Sequence, residues 1–175
     1  MTSRTGRRIV LLVAVLTTIG CDRVTKHAAM TMLSGAPGRS YLGDTVRFEY
    51  AENPGGFLSL GANLAPVTRT AFFTVVTGLM LLALIIFAVR RTLVGMPALG
   101  LTLFAAGGAS NWIDRVVRGS VVDFLNVGVA SVRTGVFNVA DVAIMLGAGI
   151  FVLSELRDER ESPSSAGIGD GTAVR

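Results

Sequence analysis

Two aspartates, Asp123 and Asp141, stand where a carboxylate is out of place. Asp123 follows Val121-Val122 and precedes Phe124, and Asp141 closes Phe137-Asn138-Val139-Ala140 at the head of a long apolar run. Burying an ionised carboxylate is costly unless something compensates for it or uses it. Two such groups facing each other in poor solvent share one proton, because like charges a few ångströms apart resist double ionisation. A pair in that state can hold a water, deprotonate it with one member and protonate a carbonyl or leaving amine with the other. That is metal-free aspartic peptide hydrolysis.

Other polar residues gather around the pair. Asn111, Asp114 and Arg115 are spaced i, i+3, i+4 and share a helix face. Asn138 and Asp141 are spaced i, i+3 and project together. Asp22 and Lys26 are spaced i, i+4, which suits a structural ion pair as well as a place in the site. Asn53 opens the turn Asn53-Pro54-Gly55-Gly56. One cysteine and one histidine argue against a zinc site, and no metal or cofactor is expected. No serine lies in a nucleophile elbow. Several of these residues also have plain readings. Asp123 alone reads as a solvated loop carboxylate, and Asp114–Arg115 as a charge pair ending a membrane span. Trp112 suits an interfacial aromatic belt, His27 an interfacial position, and Arg118 and Arg133 solvent or headgroups. Gly107-Gly108 suit close helix packing.

The elements that must position these groups are membrane spans. The chain has 175 residues, 51% of them hydrophobic and only 16% charged, which fits one compact membrane domain. Its net charge of +4 could suggest nucleic acid, but the arginines sit at the ends of apolar runs, so no nucleic-acid partner is expected. Four spans are read at about 9–33, 70–89, 92–113 and 136–156. The first would be roughly 37 Å long at about 1.5 Å per residue. Residues 38–66 read as a small extramembrane antiparallel β platform. Strands fall at Asp44–Tyr50, where apolar and polar residues alternate, and at Phe57–Leu60. Residues 116–133 read as a loop, and residues 157–175 as a disordered cytoplasmic tail. The expected class is therefore an all-α membrane protein with four transmembrane helices and a small periplasmic β platform, in a single domain over 1–156. The basic N-terminus and the short Arg90-Arg91 loop favour both termini inside, which places Asp22, Asn53, Asp114, Asp123 and Asp141 together on the outer side.

Five blocks then match a family. They are Asp22-Arg23-Val24-Thr25-Lys26; Asn53-Pro54-Gly55-Gly56-Phe57; Gly107-Gly108-Ala109-Ser110-Asn111-Trp112-Ile113-Asp114-Arg115; Gly119-Ser120-Val121-Val122-Asp123-Phe124; and Phe137-Asn138-Val139-Ala140-Asp141. In this order and spacing the chain resembles the bacterial lipoprotein signal peptidases (type II signal peptidases). The resemblance implies an inner-membrane aspartic peptidase that cuts the signal peptide from diacylglyceryl-modified prolipoproteins, just before the lipid-bearing cysteine. It implies Asp123 and Asp141 as the catalytic pair. Asn53, Gly55, Asn111, Asp114, Arg115, Asn138 and Ala140 would bind substrate or support the pair, and Asp22 and Lys26 would support it from the first helix. It further implies a pocket for the cyclic peptide globomycin. The expected partners are prolipoprotein substrates, membrane lipid and globomycin-like inhibitors, and the chain is expected to be a monomer. It departs from the family's usual pattern at Arg23, often Gln there, and in the spacing after Gly55.

Two other readings compete. The basic, apolar start and Gly20-Cys21 resemble a lipoprotein cleavage site, but Thr18 and Ile19 stand where such sites carry Leu and a small residue. A small transporter could use Asp141 as a proton site, but the chain shows no internal repeat of the kind such proteins carry.

Overall fold

The computed structural model describes residues 4–55, 64–91 and 93–161. In chain order the elements are α1 (Arg4–Leu33), β1 (Arg39–Tyr41), β2 (Val46–Asn53), α2 (Pro66–Arg91), α3 (Gly95–Arg118), β3 (Val121–Val129), β4 (Val132–Arg133) and α4 (Val139–Glu161). Each helix runs a few residues past one or both ends of its apolar run, so arginines such as Arg90, Arg91, Arg115 and Arg118 lie inside helical ends. Cys21 lies mid-way along a continuous α1. The strand expected at Phe57–Leu60 and the tail beyond residue 161 fall outside the described residues, and residues 157–161 belong to α4.

Helix α3 is the hub, packing against α4, α1 and α2. Glycine makes the α3–α4 approach possible. A Cβ on Gly107 would lie 2.5 Å from the Ala140 carbonyl oxygen, and one on Gly147 would lie 2.5 Å from that of Gly100. Backbones this close exclude any side chain, as at small-residue seams between membrane helices. Trp112 is not a free belt residue. It wedges between α3 and α2, its Nε1 donating to the Thr74 carbonyl at 2.9 Å beside Gly78.

Two described helices are long and apolar enough to cross a bilayer by composition, over Pro66–Ala88 and Val139–Arg157. Helices α1 and α3 fall short of that measure for a physical reason. Helix α1 carries Asp22, Arg23 and Lys26 within its length, and α3 is diluted by glycine, Ser110 and Asn111.

The sheet corrects the reading of residues 116–133 as a loop. It has four antiparallel strands in the order β1-β2-β3-β4, so the segment carrying Asp123 is a central strand. Val121 to Phe124 are all buried. A strand covered on both faces reads as a continuous apolar run without alternation, which hides it from a period-2 search. Pairing sets Ala51 opposite Asp123 and Asn53 opposite Val121, after an irregularity between Phe48 and Ala51. Successive side chains point to opposite faces. Phe124 therefore joins Ala29 and Leu33 of α1, with Phe48, Tyr50, Leu125 and Val139, in an apolar cluster, while Asp123 faces the helices on the other side. Arg133, expected in solvent, is mostly buried and ties β4 to the β1–β2 turn: its Nη1 donates to the Asp44 carbonyl at 2.7 Å and its Nε to Asn126 Oδ1 at 2.6 Å. Arg118 and His27 are exposed as expected.

Candidate active site

Two turns deliver the aspartates. Helix α3 ends at Gly119, whose φ of 79° is left-handed backbone that glycine adopts without a Cβ penalty. Its N–H caps the Arg115 carbonyl at 3.0 Å, and the chain turns straight into β3. At the other turn, Asn138 precedes α4 and forms a reciprocal cap. The Asp141 N–H donates to Asn138 Oδ1 at 2.9 Å, and the Asn138 N–H donates to Asp141 Oδ2 at 3.1 Å. This capping box satisfies two N–H groups at the helix start and fixes the Asp141 carboxylate in the first turn.

The same asparagine bridges the pair. Asn138 Nδ2 donates to Asp123 Oδ1 at 2.6 Å, so one fully buried amide touches both carboxyl groups' surroundings. Asn53 Nδ2 donates to the other Asp123 oxygen at 3.2 Å. Asn111 Nδ2 donates to Asp141 Oδ1 at 2.8 Å, and its Oδ1 accepts from Asn138 Nδ2 at 3.2 Å. Asp123 is 3% exposed and no cation pairs with it among the described residues. Burial first, and the negative charge of Asp141 second, push its carboxyl up to about 6, against the pull of the Asn138 and Asn53 amides.

The helix face expected to carry Asn111, Asp114 and Arg115 divides its work. Arg115 turns toward the sheet side, its Nη2 donating to the Gly55 carbonyl at 3.0 Å and its Nη1 to the Asn111 carbonyl at 3.3 Å. Its buried Nε has no partner among the described residues. Gly55 is itself held by its N–H donating to Asn53 Oδ1 at 3.1 Å. Asp114 turns the other way, into α1, and is not an interfacial pair with Arg115. It meets Lys26 Nζ at 2.8 Å and Arg23 Nη1 at 2.8 Å.

Asp22 and Lys26 are both an ion pair and neighbours of the site. Lys26 Nζ donates to Asn111 Oδ1 at 2.7 Å and lies 2.8 Å from both Asp22 Oδ2 and Asp114 Oδ2, so one ammonium pairs with two carboxylates. An ammonium only donates, so it fixes the Asn111 amide with its oxygen toward Lys26 and its Nδ2 toward Asp141. Asp22 Oδ1 accepts from the Ala140 N–H at 2.9 Å, which anchors the turn bearing Asp141. Ala140 contributes its backbone N–H; the residue is fully buried, with its carbonyl oxygen close against Gly107 of α3.

Asp22, Asn53, Gly55, Asn111, Arg115, Asp123, Asn138 and Asp141 are thus brought into one seam, with Lys26 and Asp114 behind it. Sequence reasoning passed over Ser110, whose hydroxyl donates to Asp22 Oδ2 at 2.7 Å, and gave Arg23 no role. The signal for Ser110 was its helical spacing: Gly107, Ser110, Asn111 and Asp114 fall on one face. Among the described residues, no cluster of His, Cys, Asp and Glu could hold a metal.

Comparison with known proteins bears on this seam. A family profile described as signal peptidase (SPase) II matches residues 13–157. The chain is 34% identical over 148 residues to the lipoprotein signal peptidase of Pelodictyon phaeoclathratiforme, covering 79% of this chain and 85% of that one. It is 29% identical over 154 residues to the lipoprotein signal peptidase of Streptococcus pneumoniae, covering 87% and 96%. Among solved structures, one described as a bacterial membrane enzyme superposes with a TM-score of 0.76 at 21% identity, covering 91% of this chain and 94% of that one. At that identity the superposition speaks for the fold.

Proposed function

The chain belongs to the signal peptidase II family, and on that premise we propose that it is an intramembrane aspartic endopeptidase. Its substrates are diacylglyceryl-modified bacterial prolipoproteins, from which it removes the signal peptide. The observation that carries the aspartic mechanism is the pairing of buried Asp123 with half-buried Asp141, joined through Asn138 and with no cation partner among the described residues.

The pair shares one proton. A water held between the carboxyl groups gives a proton to the ionised member as its oxygen attacks the scissile carbonyl. The protonated member gives its proton to the carbonyl oxygen. Collapse of the tetrahedral intermediate breaks the C–N bond: the amine leaves with the proton held by the pair, and a hydroxyl of the intermediate returns its proton to the pair as the new carbonyl forms, which restores the starting state. Asn53, Asn111 and Asn138 hold the carboxyl groups through N–H donors, and neutral donors leave a carboxyl free to exchange a proton in a way an ion pair would not. Arg115 spans the gap between α3 and Gly55 and sets a positive charge beside the pair.

The four helices cross the bacterial inner membrane with both termini cytoplasmic and the sheet at the periplasmic face. Lengths of 23 to 30 residues support this, since each exceeds the ~30 Å hydrocarbon core at about 1.5 Å per residue. So do outward aliphatic side chains such as Leu16, Leu82, Val117 and Leu153. The enzyme acts as a monomer in contact with membrane lipid and takes globomycin-like inhibitors in the same seam.

A gel-shift assay in detergent or liposomes tests the reading, with diacylglyceryl-modified prolipoprotein as substrate. Wild type cleaves, globomycin blocks cleavage, and Asp123→Asn and Asp141→Asn do not cleave. Cleavage that survives both substitutions would remove the pair from the mechanism. The one-proton state also predicts a pH limb: kcat/KM declines as pH rises through about 6, where Asp123 loses its proton.

A further inference from the structure

We infer that Arg23 is a positioning residue for the aspartate pair, acting as the counter-charge that keeps the polar seam behind the pair neutral. The inference rests on the aspartic mechanism proposed above. Asp22 and Asp114 are buried with Lys26, three groups that together carry one net negative charge. Arg23 supplies the missing positive charge from a partly exposed position. Its Nη1 meets Asp114 Oδ1 at 2.8 Å, its Nη2 donates to the Ser110 carbonyl at 2.8 Å, and its Nε donates to Ser110 Oγ at 3.2 Å. Its Nη2 also lies 3.6 Å from Asp22 Oδ2. The guanidinium therefore grips α3 at two successive turns, which a flexible point charge cannot reproduce.

Two chains of contacts lead from Arg23 to the reacting groups. One runs through Asp114, Lys26 and Asn111 to Asp141 Oδ1. The other runs through Ser110 and Asp22 to the Ala140 N–H, in the turn that carries Asp141. The charged groups facing the pair are Asp22 and Lys26 from α1 and Arg115 from α3, with Asp114 behind them on Lys26; β2 presents only the neutral Asn53. Loss of Arg23 leaves the α1–α3 seam with a net negative charge. The pair then holds its shared proton more tightly, and the pH window of activity moves upward.

The test is the pH profile of kcat/KM for Arg23→Gln, Arg23→Lys and the double variant Arg23→Gln/Asp114→Asn, each in the full chain with lipidated prolipoprotein. Arg23→Gln is expected to move the alkaline limb up by about half a unit, the scale of one lost neighbouring charge at protein-like dielectric. Arg23→Lys keeps the charge and leaves the limb where it is, although the rate falls with the lost fork. The double variant is neutral again, and its limb returns to the wild-type position. If Arg23→Gln does not fold, Asp114→Asn decides: with Arg23 and Lys26 against Asp22 alone the seam carries one excess positive charge, so its limb must move down by a similar amount, and an unmoved limb overturns the role. An unmoved limb in Arg23→Gln, or one displaced as far in the neutral double variant, overturns the counter-charge role. Asp123→Asn in the same assay separates the two ideas: activity there removes the aspartate mechanism itself, whereas its loss with an unmoved Arg23→Gln limb removes only the role of Arg23.

Discussion

Asp22 and Asp114 are as deeply buried as Asp123, at 0%, 2% and 3% exposure, yet the three are treated in opposite ways. Asp22 and Asp114 each lie 2.8 Å from the Lys26 ammonium, and Arg23 closes on Asp114. Among the described residues Asp123 receives only amide N–H groups, from Asn138 and Asn53, and faces a second carboxyl. Equal burial with different partners separates structure from chemistry. A cation beside a buried carboxylate fixes its charge, whereas neutral donors and a like charge leave its proton in play. An ion-paired scaffold is thus set against a pair of carboxyl groups held by neutral donors.

Substitutions can break that contrast, and the largest effect falls on the exchanging pair. Asp123→Asn or Asp141→Asn keeps shape but removes the proton and the base, so turnover is expected to fall by about 10⁴-fold or more with the fold intact. Cleavage assays beside circular dichroism check both halves of that statement. Lys26→Met acts on the scaffold. It removes the cation shared by two buried carboxylates, leaving Asp22 without a close partner charge and Asp114 with Arg23 alone, and should lower stability by about 3–5 kcal/mol, read by thermal unfolding in detergent. A variant that keeps its stability but loses all activity would mean that Lys26 belongs to the chemistry, and the division drawn above would not stand.

Arg115→Lys sharpens the contrast from the substrate side. The fork spanning Asn111 and Gly55 is lost while the charge remains, and kcat/KM should drop by about 10²-fold with little change in unfolding temperature. The smallest effect is on stability. The folded Asp123 carboxyl lies near 6, above its ordinary 3.8, so its contribution is complete below about 4 and is lost as pH rises through about 6. Its ionisation at higher pH costs about 3 kcal/mol, partly offset in Asp123→Asn by one weakened amide contact. The inactive Asp123→Asn protein is therefore expected to be more stable than wild type by about 1 kcal/mol at pH 8 and no more stable at pH 4. Equal unfolding temperatures at both values would mean that Asp123 is not held under strain.

Much of the candidate site was legible because its residues are of the wrong type for their surroundings. Asp141 at the head of an apolar run, the asparagines at 111 and 138 and the Asp22/Lys26 spacing are all visible in a one-dimensional pattern. Arg133 was misread, and the contact of Trp112 was not foreseen, for a common reason: a charged or amphipathic side chain at the edge of an apolar run looks interfacial until its partner is known. Here those partners are the Asp44 carbonyl and the Thr74 carbonyl, 89 and 38 residues away.

What the sequence determined by itself was the set of polar residues of the candidate site and the helical frame. Residue type sets which groups can exchange a proton, and helical spacing sets which of them share a face. What only the tertiary structure decided was the central strand that carries Asp123, the opposite turns taken by Asp114 and Arg115, and the joining of Arg23 to the seam. These depend on contacts across long chain separations, as in the 118 residues between the Asp22 carboxylate and the Ala140 N–H. Local periodicity does not encode a partner that lies so far along the chain, and the partner decides whether a buried acid is neutralised or left able to react.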